Sequence, residues 1–244
     1  AVESIVPQIV SNRPKARVEA LAGGLLIQAL IRELSLNRQA DKIHLGDLHH
    51  AWVLEALFSP FGVVKTGLKA GSDQVSVGGR MFTRGEFYGD LIDFDDYVID
   101  QAARKPDGDA IFEGHRYRVS RAVALAAESA PGVPIYDREV IANAPRLQLS
   151  KSEPAEADTL SGHHGDPFAL VDMIELWEIA VYLGDRTMIY TLSGVGGNTK
   201  FAREPFEHWG PESGPYIKLH FGARPSNSMP VSYTTRIFDL HQVA

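Results

Sequence analysis

The chain has 244 residues, 44% hydrophobic and 23% charged, with a net charge of −7 and no cysteine. That length and apolar content suit one large domain or two small ones and exclude a disordered chain. The missing cysteines exclude disulfides, thiolate metal sites and a cysteine nucleophile, and the acidic balance argues against a general nucleic-acid coat.

The apolar residues Val2, Ile5, Val6, Ile9 and Val10 recur at helical spacing as far as the breaker SNRP, with Pro7 as a kink or first-turn residue. KARVEAL alternates like a short strand. Leu26, Ile27, Leu30, Ile31 and Leu34 make one face of a helix, with Gln28, Arg32 and Glu33 on the other. A further helix is predicted over 41–58; Pro60 and Gly62 punctuate its end, and GVVKTGLK reads as a strand. Residues 71–92, rich in Gly and Thr, read as a hairpin or loop with EFYGDL as a possible strand. DFDDYVIDQAARKPDGD is an acidic loop, AIFEGHRYRV a strand, and Val119 to Glu128 a short helix.

Prolines 131, 134, 145 and 154 and the polar run SKSEPAEADTLSGHHGD make 129–168 the expected flexible stretch. Beyond it the period changes to two. MIELWEIAVYL, Gly184-Asp185 and RTMIYTL read as a hairpin. YIKLHF reads as a third strand, with Ile217, Leu219 and Phe221 on one face and Lys218 and His220 on the other. The order predicts an α+β fold: N-terminal helices with short strands, then a small antiparallel β-sheet. The expected divisions are a helical and mixed part over 1–128, a loop-rich connection over 129–168, an antiparallel part over 169–230, and the start of a helix over 231–244. The chain opens on Ala1 and closes within an apolar helical pattern, TRIFDLHQVA, so a piece of a longer chain is expected. Its longest apolar runs, such as AWVLEALF, are too short to span a bilayer. The start also lacks a basic stretch ahead of an apolar one, as a secretory leader would need.

Two histidine pairs invite a metal reading. On one continuous helix His44 and His50 would lie about 9 Å apart along the axis and roughly 120° apart around it, too far to grip one ion. His49 also misses the i,i+4 spacing of helical zinc ligands. Asp47 can pair with His44 or His50, as a contact on a helix surface. His163 and His164, near Asp166 and Asp172, could ligate a metal if folded together or brought to the first cluster; a solvated loop is the preferred reading. GVGGNTK at 194–200 follows a strand and ends in Lys200, but Thr199 replaces the second glycine of a phosphate-binding loop and Phe201 its Ser/Thr. Pro205, Pro211 and Pro215 break any following helix. No G-x-S-x-G elbow is present. Asp90, Asp93, Asp95, Asp96 and Asp100 lack calcium-loop spacing and read as a solvated or intersubunit acidic face. Trp52, Trp177 and Trp209 are scattered rather than set out as a stacking platform. No catalytic, cofactor-binding or metal residue is assigned.

The order of segments carries more than any site. VPQIVSNRPKARVEA, with Asn12, Arg13 and Pro14 at a helix-ending turn, is followed by LHHAWVLEALFSPFGVVKTGL. In the latter a helix passes through Phe61-Gly62 into Val63, Val64, Lys65 and Gly67. This resembles the N-terminal part of tailed-bacteriophage portal proteins. The loop with Asp95, Asp96, Asp100, Ala102 and Arg104 before a strand bearing His115 and Arg116 is similar to a family segment, with Gln101 where proline is usual. ELWEIAVYLGDRTMIYTLSG looks like the family's E-x-W-E strand and hairpin. Gly214, Pro215, Tyr216, Leu219, Phe221, Pro225, Asn227 and Pro230 follow its G-P-Y-x-x-L-x-F…P-x-N-x-x-P loop. The resemblance covers nearly the whole chain, least over 129–168, and reaches the wing region only: no stem, clip or crown is seen.

It implies a non-enzymatic, cofactor-free subunit of a homo-oligomeric ring, usually of twelve copies, at the portal vertex of the virion, assembled in the host cytoplasm. The expected partners are the major capsid protein, the terminase large subunit, the head-tail adaptor and double-stranded DNA passing through the channel, with no membrane. The segment 231–244 would lead toward the stem. A negative chain suits a passage that does not hold DNA phosphates. Two other readings stand beside it: a metal-dependent hydrolase or lyase using the His/Asp cluster of 44–50 and 163–166, and another virion structural protein, capsid or adaptor.

Overall fold

The computed structural model describes residues 6, 10, 14–77, 80–130, 132–147, 172–193, 200–222, 224 and 226–235. In chain order its elements are α1 (Leu26–Lys42), α2 (Leu45–Phe58), β1 (Gly62–Val77), β2 (Arg80–Ile92), β3 (Tyr97–Ile99), β4 (Phe112–Ser120), α3 (Arg121–Ala126), β5 (Glu128–Ala130), β6 (Val133–Pro134), α4 (Arg138–Asn143), β7 (Met173–Tyr182), β8 (Thr187–Ser193), β9 (Arg203–Glu207) and β10 (Tyr216–Leu219). The fold is α+β, with N-terminal helices followed by antiparallel sheets. Packing gathers the chain into two units, 1–111 with 209–244, and 112–208.

In the first unit, residues 14–20 form no strand, against the expectation from KARVEAL. Their backbone is satisfied by side chains of α1. The Ala16 N–H donates to Asn37 Oδ1 at 2.9 Å, and Asn37 Nδ2 donates to the Ala16 carbonyl at 3.1 Å. The Val18 N–H donates to Glu33 Oε2 at 3.0 Å. A carboxamide carries the same donor and acceptor as a peptide, so it can stand where a strand neighbour would.

The helix predicted over 41–58 is two helices. Residues 41 and 42 end α1, the chain turns at Ile43 and His44, and α2 begins at Leu45. His44 takes the left-handed conformation, φ 50 and ψ 44. α2 ends at Ser59, whose N–H bonds the Glu55 carbonyl and whose hydroxyl bonds the Glu55 carboxylate at 2.7 Å.

β1 and β2 form one hairpin, longer than any within 71–92: GVVKTGLK, expected as a strand, is the start of its first arm and EFYGDL lies in its second, in register from Val63↔Ile92, and α2 lies on one face of it. Gly62 is required there: a Cβ would stand 2.6 Å from the Trp52 carbonyl oxygen. On the other side of β1 runs β10, with Gly62↔Leu219 and Lys65↔Tyr216. YIKLHF is thus a strand, but it joins β1 rather than the 173–193 hairpin. The expected alternation holds, but both faces are partly covered: Leu219 packs against the Val53 and Leu57 cluster while Ile217 is exposed, and on the other face Lys218 sits opposite the buried Val63 with its own side chain enclosed.

The second unit sets β4, β7, β8 and β9 side by side, all antiparallel. α3 and α4 cover the apolar end of one sheet face, burying Ala124, Val140, Ile141 and Ala144 against Ile174 and Leu176. The β7–β8 hairpin turns at Gly184, φ 90, as the Gly-Asp pair predicts. α4 lies within the stretch expected to be loop. Asp137 starts it as an N-cap, accepting from the Glu139 and Val140 amides. β9 was not expected at all, because Pro205 lies inside it. It is the outer strand of this set, where a missing N–H can face away from the ladder.

Candidate functional site

The three histidines of 44–50 do not converge. His44 is exposed in the turn before α2. His49 is half-buried, set edge-on to Trp52 with ring centroids 6.4 Å apart and Nδ1 without a hydrogen-bond partner. His50 is exposed. Because His44 lies outside the helix, the continuous-helix geometry does not apply to it. Asp47 is exposed, and its amide bonds the His44 carbonyl at 2.9 Å. Among the described residues no group of three or more His, Cys, Asp or Glu could hold a metal ion. His163, His164 and Asp166 lie outside the described residues, as do Gly194 to Thr199 of GVGGNTK. Asp172, from the same expected cluster, is described: it ion-pairs with Arg121 at 2.6 Å, and that bond holds its carboxyl below the usual range. Lys200 pairs with Glu139 at 2.9 Å, which raises its pKa, and the chain continues into β9 rather than a helix.

His44 lines a cleft of about 370 Å³, bounded by Gln39, Lys42, Ile43 and the hairpin residues Lys69, Glu86, Phe87 and Asp90. Its walls carry both signs of charge, so it presents no single-sign field to an ionic ligand.

The acidic loop is exposed at Asp90, Asp93 and Asp95 but structural at Asp100. Asp93 accepts the Asp95 amide at 3.0 Å and starts a short 3-10 turn, Phe94–Asp96. Asp100 is buried and accepts the amides of Ala102 at 2.9 Å and Ile111 at 3.2 Å. Beyond it, Asp107 meets two side chains at β10 and just past it, Lys218 Nζ at 3.9 Å and His220 Nε2 at 3.5 Å. Nothing in the spacing of Asp107 and Lys218, far apart in sequence, announces that pairing.

In the second unit a polar row crosses the sheet. His115, Glu178, Thr191 and Arg203 stand opposite one another in register on successive strands. His115 and Thr191 are buried, and the Thr191 hydroxyl has no hydrogen-bond partner. His115 stacks on Tyr117, 5.6 Å between centroids, and the Tyr117 and Tyr136 hydroxyls are 3.2 Å apart. Burial, then the neighbouring Tyr136, raises the Tyr117 pKa far above the ordinary tyrosine value, so that hydroxyl stays protonated. The row was missed because its members are ordinary strand residues until register aligns them.

Of the residues that carry the resemblance, those of 61–67, 95–104 and 214–230 lie in the first unit, and His115, Arg116 and the 175–193 hairpin in the second. Phe61 is fully buried and meets Phe94 and Tyr97 edge-on at 5.3 and 5.5 Å. Tyr97 meets Tyr216 in the same way at 5.6 Å. The Pro215 carbonyl accepts the Thr66 amide at 2.8 Å, and Gly214 takes φ 83. Compared with protein-family models and with curated proteins, the chain matches none.

Proposed function

We propose that this chain is the wing part of a portal subunit, a structural ring component at the capsid vertex through which DNA is packaged and released. One observation carries the reading. FGVVKTG and GPYIKL, two of the segments that carry the resemblance, lie about 150 positions apart in the sequence and are adjacent strands, with Gly62 opposite Leu219 and Lys65 opposite Tyr216. Motifs that co-occur by chance along a chain have no reason to pair in one sheet. Phe61, at the first motif, and Tyr216, at the second, belong to one chain of aromatic contacts through Tyr97. In this reading the chain is not an enzyme and needs no cofactor. Its partners are its own copies, the major capsid protein, the terminase, the head-tail adaptor and the DNA in transit. The metal-dependent hydrolase reading has less support, because the 44–50 histidines point to no common centre.

Negative-stain electron microscopy with symmetry analysis tests the proposal. The expected result is closed rings of about twelvefold symmetry. Ring-free single chains carrying one tightly bound metal would sink it, and closed shells or isolated hexamers and pentamers would move the chain to the capsid class.

A further inference from the structure

α1 faces the wrong way for a core helix. Leu26, Ile27, Leu30, Ile31 and Leu34 span an arc of about 140° at roughly 100° per residue. All five are exposed, between 57% and 74%. The buried residue of α1, Ala29, lies outside that arc. Side chains of this size each leave on the order of 100 Å² uncovered, so the stripe amounts to roughly 500 Å², and more with the exposed Leu21 and Leu25 ahead of it. A patch of that size is at the upper end for a solitary monomer and more than half of the roughly 800 Å² that each partner gives to a standard interface.

A second apolar face lies on the β1–β2 hairpin. Leu68 and Phe87 stand directly opposite in register, each 51% exposed. They share the sheet face that α2 covers at Gly62 and at Gly89, where Leu48 packs. α2 stops short of them. On the other face, next to this pair, Lys69 stands opposite Glu86, so the strands carry no net charge there.

We propose that the α1 stripe of one copy seats on the Leu68–Phe87 pair of a second copy, head to tail. A helical ridge and a pleated apolar pair are different surfaces on one chain, as a head-to-tail contact requires; such contacts close into rings or run on as filaments. Copies with a net charge of −7 repel at long range; the α1 stripe is apolar, and the charges around Phe87 are of both signs, so two copies can meet here without like charges opposed. The inference deepens the ring reading by naming the joining faces, and rests on that reading only for closure.

Two variants test it, Leu30→Glu with Ile31→Glu on the stripe, and Leu68→Glu with Phe87→Glu on the hairpin. Far-UV circular dichroism checks the fold, and glutamine versions of both repeat the test with no added charge. Sedimentation velocity should find the wild type assembled and each variant alone as single chains, with self-association weakened at least about 30-fold. Mixed one to one, the variants retain one sound stripe and one sound hairpin between them and should form pairs and nothing larger. Assembly of either variant like the wild type, or no pair in the mixture, overturns the inference. Rings that survive both double substitutions overturn it while leaving the portal reading standing. Open filaments lost in both variants support it and sink the ring. A wild type that stays single at every concentration overturns both.

Discussion

α1 and α2 are consecutive, 17 and 14 residues long, and both rich in large aliphatic side chains, yet they use them in opposite ways. α2 buries Val53, Ala56 and Leu57. One side lies on the hairpin through Leu48 and Trp52, and another meets Val6, Val10 and Tyr233. A helix covered on more than one side needs apolar residues most of the way round. α1 has the cleaner apolar stripe and turns it outward, holding to its own chain by polar side chains instead, Asn37 to Ala16 and Glu33 to Val18. The period of a sequence tells that a face exists; it does not tell whether the chain itself supplies the cover.

The largest expected effect separates the two helices directly. Leu57→Ala in α2 empties a fully packed site and should cost about 2–5 kcal/mol. Leu30→Ala in α1, measured at a concentration low enough to keep copies apart, should change stability by less than about 0.5 kcal/mol. Denaturant midpoints with unchanged slopes read both. Equal losses would mean that the α1 stripe is covered within its own chain, and the contrast would fall.

A smaller effect probes how α1 is tied down. Asn37→Ala removes one donor and one acceptor that serve the Ala16 peptide, and should cost about 1–2 kcal/mol at roughly 1 kcal/mol per bond. Asn37→Asp keeps the acceptor and loses the donor, so it should fall between. A midpoint unchanged in Asn37→Ala would show that residues 14–20 are held by something other than this amide.

What was legible follows the same division. Strong local patterns came through: GVVKTGLK and EFYGDL as strands, the β7–β8 hairpin, the short helix after β4, and the helix face of 26–34 as a face. Partnership did not. β10 was readable as a strand, but its neighbour β1 lies about 150 positions away, and alternation gave no sign that the Lys218 face is covered as well as the Leu219 face. β9 was hidden by Pro205, which an outer strand tolerates and an inner one does not. α4 was hidden by nearby prolines, although Asp137 is an ordinary cap. Asp100 looked like one acid among several until its two backbone bonds placed it inside. The histidine geometry assumed an unbroken helix, and the left-handed His44, where αL is uncommon for a residue other than glycine, broke it.

The smallest effect belongs to the histidines that sit at the head of α2. Replacing His49 and His50 together with Gln should leave the fold intact, with a loss under about 1 kcal/mol. His50 is exposed and contributes little. What His49 has to lose is its edge-on contact with Trp52, a contact of a kind worth roughly 0.5–1.5 kcal/mol between true aromatics and less for imidazole. Its Nδ1 makes no hydrogen bond, so no polar partner is orphaned by the change. The single variants sharpen this: His50→Gln should match the wild type in thermal unfolding, and any shift should appear with His49→Gln alone. Loss of folding in the double variant would give these side chains a structural task that α2 does not otherwise need, since its packing rests on Val53, Ala56 and Leu57.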